Sequence, residues 1–401
     1  MTQLCWSRLN EILWKHGKNI SVLSLYNSDP RLETHRELMM PLMKLPENVL
    51  QELNLFNVNI ECIHPFLHRQ ATVKILSITG NLDDINFLKN FRLIKLKLVG
   101  PKTRKLAEIF NSQPDLMSLK FTTDKETEYD ENVFEEIVKL QQLETLDVPI
   151  LNTFSHRSVR SVNRLRNLKK LSISCNDLCV QSLISSSIPS LQQLDINFEE
   201  FIPVAFIETL SQNIPNLKVI KFRGSLVTNF LNDIPVFFSK LESLWLINVE
   251  SFFVNILNLR TSHDKNSNLK HLFVVNHDRK VVICTNDMIR FIKMFPKLET
   301  LVLTKFIEIQ LSDLETILRN LPDLKEIVID SKSIKSTIKV MSLIGIHGKK
   351  LSYVKFENFK HASNIDSLRV FFDGKFSVIE KIDGNLILRQ RKKSFLSRIM
   401  D

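Results

Sequence analysis

Few side chains of this 401-residue chain stand at spacings that suggest chemistry. His64 and His68 lie four residues apart, but Pro65 intervenes and no glutamate follows His64, so the H-E-x-x-H zinc motif is not formed. Cys175 and Cys179 make a lone C-x-x-x-C. Zinc sites want four ligands, usually as two such pairs, and no second pair lies nearby. The two thiols read as packed residues near a turn. Asp124, Glu126, Glu128, Asp130, Glu131, Glu135 and Glu136 form an acidic run leading into a helix, where carboxylates favour the N-terminal end. Arg157, Arg160 and Arg164 are spaced for one helix face and, with Arg166, Lys169 and Lys170, make a local basic patch. It lacks the interleaved aromatics that stack on nucleic-acid bases. No Ser/His/Asp set can be argued from spacing. Eight glycines in 401 residues leave no way to write GxGxxG, GxxxxGK[ST] or GxSxG. These residues predict a protein that is not an enzyme, with no cofactor and no metal site.

The elements that position these residues follow one pattern. L-x-x-L-x-L returns with first positions Ile20, Leu50, Val73, Leu93, Leu116, Leu143, Leu168, Leu191, Leu217, Leu241, Leu269, Leu298, Leu324 and Leu351. The mean interval of about 25 residues falls in the leucine-rich-repeat range. Between these segments apolar residues recur at 3–4 spacing, as in Leu106-Ile109-Phe110 and Leu314-Ile317-Leu318-Leu321, the stripe of a short amphipathic helix. Several helices end at a proline before the next strand: Pro114, Pro189, Pro215, Pro296 and Pro322. Thr285-Asn286-Asp287 and Ser312-Asp313 read as helix starts.

The predicted fold is an α/β leucine-rich-repeat solenoid, a horseshoe of about fourteen strand–helix repeats with a parallel concave sheet and convex helices. Residues 1–19, with Leu4, Leu9, Ile12 and Leu13, read as an N-terminal capping helix. Residues 20–360 form the solenoid. Residues 361–401 form a C-terminal cap, including a strand over Leu386-Ile387-Leu388, and a basic tail from Arg389 to Lys393. Corners are expected to turn on Asn, Asp, Ser and Pro.

The net charge is +10, which fits either a binder of acidic partners or a soluble surface. The N-terminus has no apolar signal core, no run approaches about 18 apolar residues, and the five cysteines are odd in number and scattered. These features predict a cytoplasmic or nuclear protein with no membrane segment.

Side chains alternate along a strand. With the fourth and sixth positions in the core, the third, fifth and seventh project from the concave face. The fifth position is polar in the N-terminal half: Ser24, Asn54, Ser77, Lys97, Lys120, Asp147 and Ser172. From the tenth repeat it turns apolar, with Trp245, Phe273, Val302 and Val328, flanked by Ile247, His271, Val275 and Tyr353. An exposed patch of this composition marks an interaction site. Trp245 and Phe273 are the expected anchors for a protein partner, with Lys221 and Arg223 placed to orient an acidic group. The alternative is that loops or the C-terminal tail fold over the patch.

Segments such as Ile214-Pro215-Asn216-Leu217-Lys218-Val219-Ile220 and Phe295-Pro296-Lys297-Leu298-Glu299-Thr300-Leu301 resemble ribonuclease-inhibitor-like repeats. Their irregular lengths resemble the substrate-recognition part of F-box/leucine-rich-repeat proteins. That resemblance implies a non-catalytic subunit of an SCF-type cullin ubiquitin ligase that holds a protein substrate on its repeats. It also implies an adaptor-binding F-box. Leu45-Pro46-Glu47 resembles an F-box opening, although Leu50-Gln51-Glu52-Leu53-Asn54-Leu55 reads as a repeat strand and the tryptophan expected near the end of an F-box does not follow. An F-box upstream would support that reading and, with it, capture of the SCF adaptor; the other reading is a repeat-only intracellular interaction scaffold without a ubiquitin link.

Overall fold

Every L-x-x-L-x-L segment enters a β-strand two residues after its first apolar position. The computed structural model describes residues 19–26, 40–82, 85–101, 106–122, 132–148, 160–175, 181–183, 185–198, 206–224, 234–248, 268–276, 285–304, 309–330, 334, 336–358, 376, 378–382 and 385–389. The expected capping helix over 4–16, Arg157, Cys179, most of the acidic run and the basic tail beyond Arg389 lie outside these residues. Two compact units make up the chain, Met1–Leu191 and Gln192–Asp401.

In the N-terminal unit the strands are β1 (Val22–Tyr26), β2 (Glu52–Phe56), β3 (Ile75–Leu82), β4 (Lys95–Pro101), β5 (Ser118–Thr122), β6 (Thr145–Val148) and β7 (Lys170–Cys175). They pair in parallel, each with the next in sequence. Connections run through α1 (Ile60–His68), α2 (Leu106–Asn111), α3 (Asn132–Ile137) and 3-10 turns at Asn86–Asn90 and Ser161–Arg164.

In the C-terminal unit β8 (Gln193–Phe198), β9 (Val219–Arg223), β10 (Ser243–Ile247), β11 (His271–Val275), β12 (Thr300–Thr304), β13 (Glu326–Asp330) and β14 (Tyr353–Glu357) again pair in parallel and in order. The helices are α4 (Phe206–Asn213), α5 (Ile234–Phe237), α6 (Thr285–Lys293), α7 (Leu311–Asn320) and α8 (Thr337–His347). A hairpin of β15 (Val378–Ile382) and β16 (Asn385–Arg389) ends the sheet, β16 pairing antiparallel with β14. A parallel strand–helix unit repeated in sequence order is the leucine-rich-repeat architecture.

Burial follows the repeat. From Leu50 to Leu351 every first-position residue is at most 2% exposed, and the fourth and sixth positions join it in the core, as Leu244 and Leu246 do with Leu241. Each such side chain taken fully from water contributes about 1.5–3 kcal/mol. The helix stripes face the same core: Leu106, Ile109 and Phe110 on α2 and Leu314, Ile317 and Leu318 on α7 are all buried.

Two buried amides fasten one repeat to the previous one. Gln113 is 1% exposed. Its Oε1 accepts from the Leu93 N–H at 2.9 Å, and its Nε2 donates to the carbonyls of Leu88 and Phe91 at 2.9 and 3.0 Å. Gln70, at the same repeat position, accepts from the N–H groups of Val49 and Leu50 at 3.1 Å and donates to the Pro46 carbonyl at 2.8 Å. Leu45-Pro46 is thus the lead-in to repeat strand β2.

The corners after the strands differ from expectation. Asn57, Gly80, Gly100, Gly224, Asn248 and Asn358 all stand at the eighth repeat position with positive φ. The N–H of Asn57, Gly224 and Asn248 donates to the next repeat's strand at Thr79, Ile247 and Val275. Gly and Asn adopt this left-handed geometry readily, so glycine joins the asparagine expected at these corners. At Gly224 a Cβ would meet the Phe198 carbonyl oxygen at 2.2 Å. The cap of α7 is also displaced from the sequence reading: Gln310 is the N-cap, paired reciprocally with Asp313.

Candidate functional site: the open face of the C-terminal unit

Register alone assembles the apolar row. Lys221, Trp245, Phe273, Val302, Val328 and Lys355 are successive Cα partners across β9 to β14. Their neighbours Leu244, Leu246, Leu272 and Leu301 are core residues, so pleating sends the row to the face away from the helices. Phe273, Val302 and Val328 form one cluster, against which Trp245, Val275 and Tyr353 pack.

The exposure of this row differs from the expected open patch. Phe273 is 2% exposed, Val302 5% and Val328 0%, while Trp245, Ile247, Val275 and Tyr353 are half-buried. All five residues of β12 are buried, against the alternating burial of β2 and β5. Strands buried on both faces carry continuous apolar runs, as Thr300–Thr304 (TLVLT) and Glu326–Asp330 (EIVID) do. The accessible part of the face is therefore Trp245, Ile247, Val275 and Tyr353, around a closed centre.

The cations at its edge are engaged within the fold. Arg223 holds Asp195 in a two-pronged bond, Nε to Oδ1 and Nη2 to Oδ2, each 2.9 Å. Asp195 is itself buried, which strengthens a charge-assisted pair of this geometry. Lys221, directly beside Asp195 in register, lies over the Trp245 ring with Nζ 4.4 Å from the centroid. The opposite face of that ring stacks on Phe273 with centroids 3.6 Å apart and planes 10° apart. Trp245 Nε1 donates to Ser243 Oγ at 3.0 Å. The expected role of Lys221 and Arg223 in orienting an incoming acid is thereby narrowed: the fold already uses Arg223 on Asp195 and Lys221 on Trp245. Lys355 closes the far end of the row against Glu357 at 2.9 Å.

Two titratable groups line this face. Burial lowers the His271 pKa below 6.5, opposed by the nearby Glu299 carboxylate. Burial likewise raises the Tyr353 phenol above 10, with Arg389 opposing.

The other candidates from the sequence are dispersed. His64 and His68 lie on α1 with their rings edge to face at 4.4 Å, and His68 Nδ1 meets Asn90 Nδ2 at 3.3 Å. Among the described residues no group of three or more His, Cys, Asp or Glu could hold a metal ion. Arg164 pairs with Glu135 at 3.6 Å, and Glu136 with Lys139 at 2.6 Å. Residues Ser161–Arg164 form a 3-10 turn, so the arginine stripe is not on an α-helix there. No described helix is long and apolar enough to cross a membrane. Sequence reasoning missed Asp195 as the partner of Arg223; its fifth-position place in the register, two residues diagonal to Arg223, was the available signal.

No protein-family model matches the chain, and no curated protein matches it. Solved structures that match the chain include two repeat proteins. An internalin of Listeria monocytogenes is 15% identical, with TM-score 0.46, covering 87% of this chain and 93% of its own. A leucine-rich-repeat protein of Leptospira interrogans is 18% identical, with TM-score 0.37, covering 84% and 90%. The leucine-rich-repeat architecture of this chain follows from its own strand order and register, independently of either neighbour.

Proposed function

We propose that the chain is a non-catalytic protein-binding scaffold and that the C-terminal unit docks an apolar segment of a protein partner along β10 to β14. One observation carries this reading: Trp245, Ile247, Val275 and Tyr353 remain half-buried around a row of buried apolar side chains on the face away from the helices. Half-buried aromatics on a rigid sheet lose little entropy on binding and are typical binding hot spots. Phe273, Val302 and Val328 form the closed centre between these side chains, and Lys221, Arg223 and Asp195 brace one edge.

The test is quantitative capture of a partner by the full chain against Ile247→Asp, which places a charge on the accessible rim without touching the core. Loss of capture at unchanged melting temperature supports the reading, and undiminished capture contradicts it. A finer reading, substrate recognition for a cullin ubiquitin ligase, rests on the repeat resemblance in segments such as Phe295-Pro296-Lys297-Leu298. Co-purification of the cullin adaptor with the captured complex supports it; partner capture without adaptor favours a scaffold with no ubiquitin link.

A further inference from the structure

The N-terminal unit carries a second face of different chemistry. Ser24, Asn54, Ser77, Lys97, Lys120 and Asp147 are successive Cα partners across β1 to β6. Adjacent strands lie about 4.8 Å apart, so this is a polar row crossing the sheet. Asn54 settles one end, donating to Ser24 Oγ at 3.2 Å and to Glu52 Oε1 at 3.0 Å. Asp147 settles the other by pairing with Lys120.

The middle is unbalanced. Lys97 and Lys120 stand opposite one another in register, and like charges so placed disfavour each other. Asp147 compensates one of them, and among the described residues Lys97 has no ion pair. Lys95 adds a third cation on the same face of β4, two residues away. Beside Lys97, the Ser77 hydroxyl is buried and has no hydrogen-bond partner among the described residues. Buried hydroxyls are almost always bonded, so this one marks a missing acceptor or donor. Both deficits lie side by side, and one oxyanion satisfies both, accepting from Ser77 Oγ and from the Lys97 ammonium as its flexible stem moves.

An apolar flank adjoins them. Tyr26 and Phe56 stack with centroids 4.3 Å apart and planes 2° apart, and Tyr26 is 63% exposed. Phe56 on β2 is two strands across and two residues along from Lys97 on β4, about 12 Å, the reach of three to four residues of extended chain. Glu52 and Asp147 on the same face oppose a continuous phosphate track.

We propose that the N-terminal unit binds an acidic segment of a protein partner, its carboxylate seated at Ser77 and Lys97 and an apolar residue three to four positions away on the Tyr26–Phe56 stack. This site does not depend on the apolar face of the C-terminal unit. The experiment titrates the full chain with a fluorescent peptide of Leu-Gly-Gly-Glu repeats, a matched Leu-Gly-Gly-Lys peptide and a single-stranded RNA. Saturable binding of the glutamate peptide alone is expected. Its Kd should rise about tenfold in Lys97→Glu and again on going from about 50 to about 300 mM salt, as a surface charge interaction requires. Ser77→Asp should abolish it by filling the seat, while Trp245→Ala leaves it unchanged. Lys97→Gln and Ser77→Ala, which keep the fold, should each weaken it severalfold. The proposal is overturned by absence of saturable binding, by tighter binding of the RNA or lysine peptide, or by a Kd within about twofold of wild type in Lys97→Gln and Ser77→Asp.

Discussion

Trp245 lies flat on Phe273, with 3.6 Å between centroids, because β10 and β11 pair in register and both side chains leave the sheet on the same face. The stack joins an accessible ring to a buried one, so Trp245 is both wall and contact surface. Trp245→Ala should cost about 2 kcal/mol of stability, from lost burial and the aromatic pair together. Trp245→Phe, which keeps a stacked ring, should cost under about 1 kcal/mol. Denaturant midpoints of the two variants check this. A neutral Trp245→Ala would mean the ring is not packed as described.

Gln113 satisfies three backbone groups from a position inside the core. Gln113→Ala leaves the Leu93 N–H and the Phe91 carbonyl buried without their partner, each worth about 1–3 kcal/mol, while the Leu88 carbonyl keeps the Phe91 N–H. A loss of about 3 kcal/mol is expected, among the largest for any polar residue of the N-terminal unit. Gln141→Ala, an exposed amide bonded at 3.2 Å to the Val138 carbonyl, should change stability by under about 0.5 kcal/mol. Equal effects of the two changes would refute the fastening role.

Gly224 has φ +107° and no room for a Cβ against the Phe198 carbonyl. Gly224→Ala should lose about 2–4 kcal/mol from steric and backbone strain combined. At Gly100, φ +78°, the nearest atom to a Cβ is the Gly80 carbonyl oxygen at 3.2 Å, and a smaller loss is expected. Thermal melts of both variants give the order directly.

His271 contributes a pH dependence of defined sign. Its folded pKa is held below 6.5 by burial, against the pull of Glu299. As pH falls through about 6.5, the unfolded chain takes up a proton that the folded chain resists. Stability from this residue is therefore full above the unfolded pKa and declines as pH drops towards the folded one. Comparing melting temperatures at about pH 7.5 and about pH 5.5, His271→Gln should show a shallower decline than wild type. An unchanged slope would assign the acid limb to other groups.

The repeat was legible because its signal is local and periodic. Fourteen first positions each precede a strand by two residues, from Ile20 before Val22 to Leu351 before Tyr353. Register then follows, since a one-residue slip would turn Leu244 and Leu246 out of the core. Trp245 and Phe273 were legible as same-face neighbours for the same reason. The near-complete burial of Phe273, Val302 and Val328 was not, because alternation states which face a side chain leaves by and not what lies over it. Gln113 was also invisible, since its partners Leu88, Phe91 and Leu93 lie 20 to 25 residues away in sequence, whereas the fifth-position place of Asp195 was readable and its pairing with Arg223, 28 residues on, was overlooked. The left-handed corners at Asn57 and Asn248 carry a sequence signal, Asn or Gly at the eighth position, that becomes readable only once the repeats are aligned.

The most direct test of the binding face is site-specific photocross-linking of the full chain. A photoreactive residue at Ile247 or at Val275 samples the open face, and one at Lys293, exposed on α6, samples the helical side. The account predicts adducts to one and the same protein partner from positions 247 and 275, abolished by Ile247→Asp in the Val275 probe, and none from position 293. Adducts from position 293 alone, or adducts from 275 that survive Ile247→Asp, would contradict it.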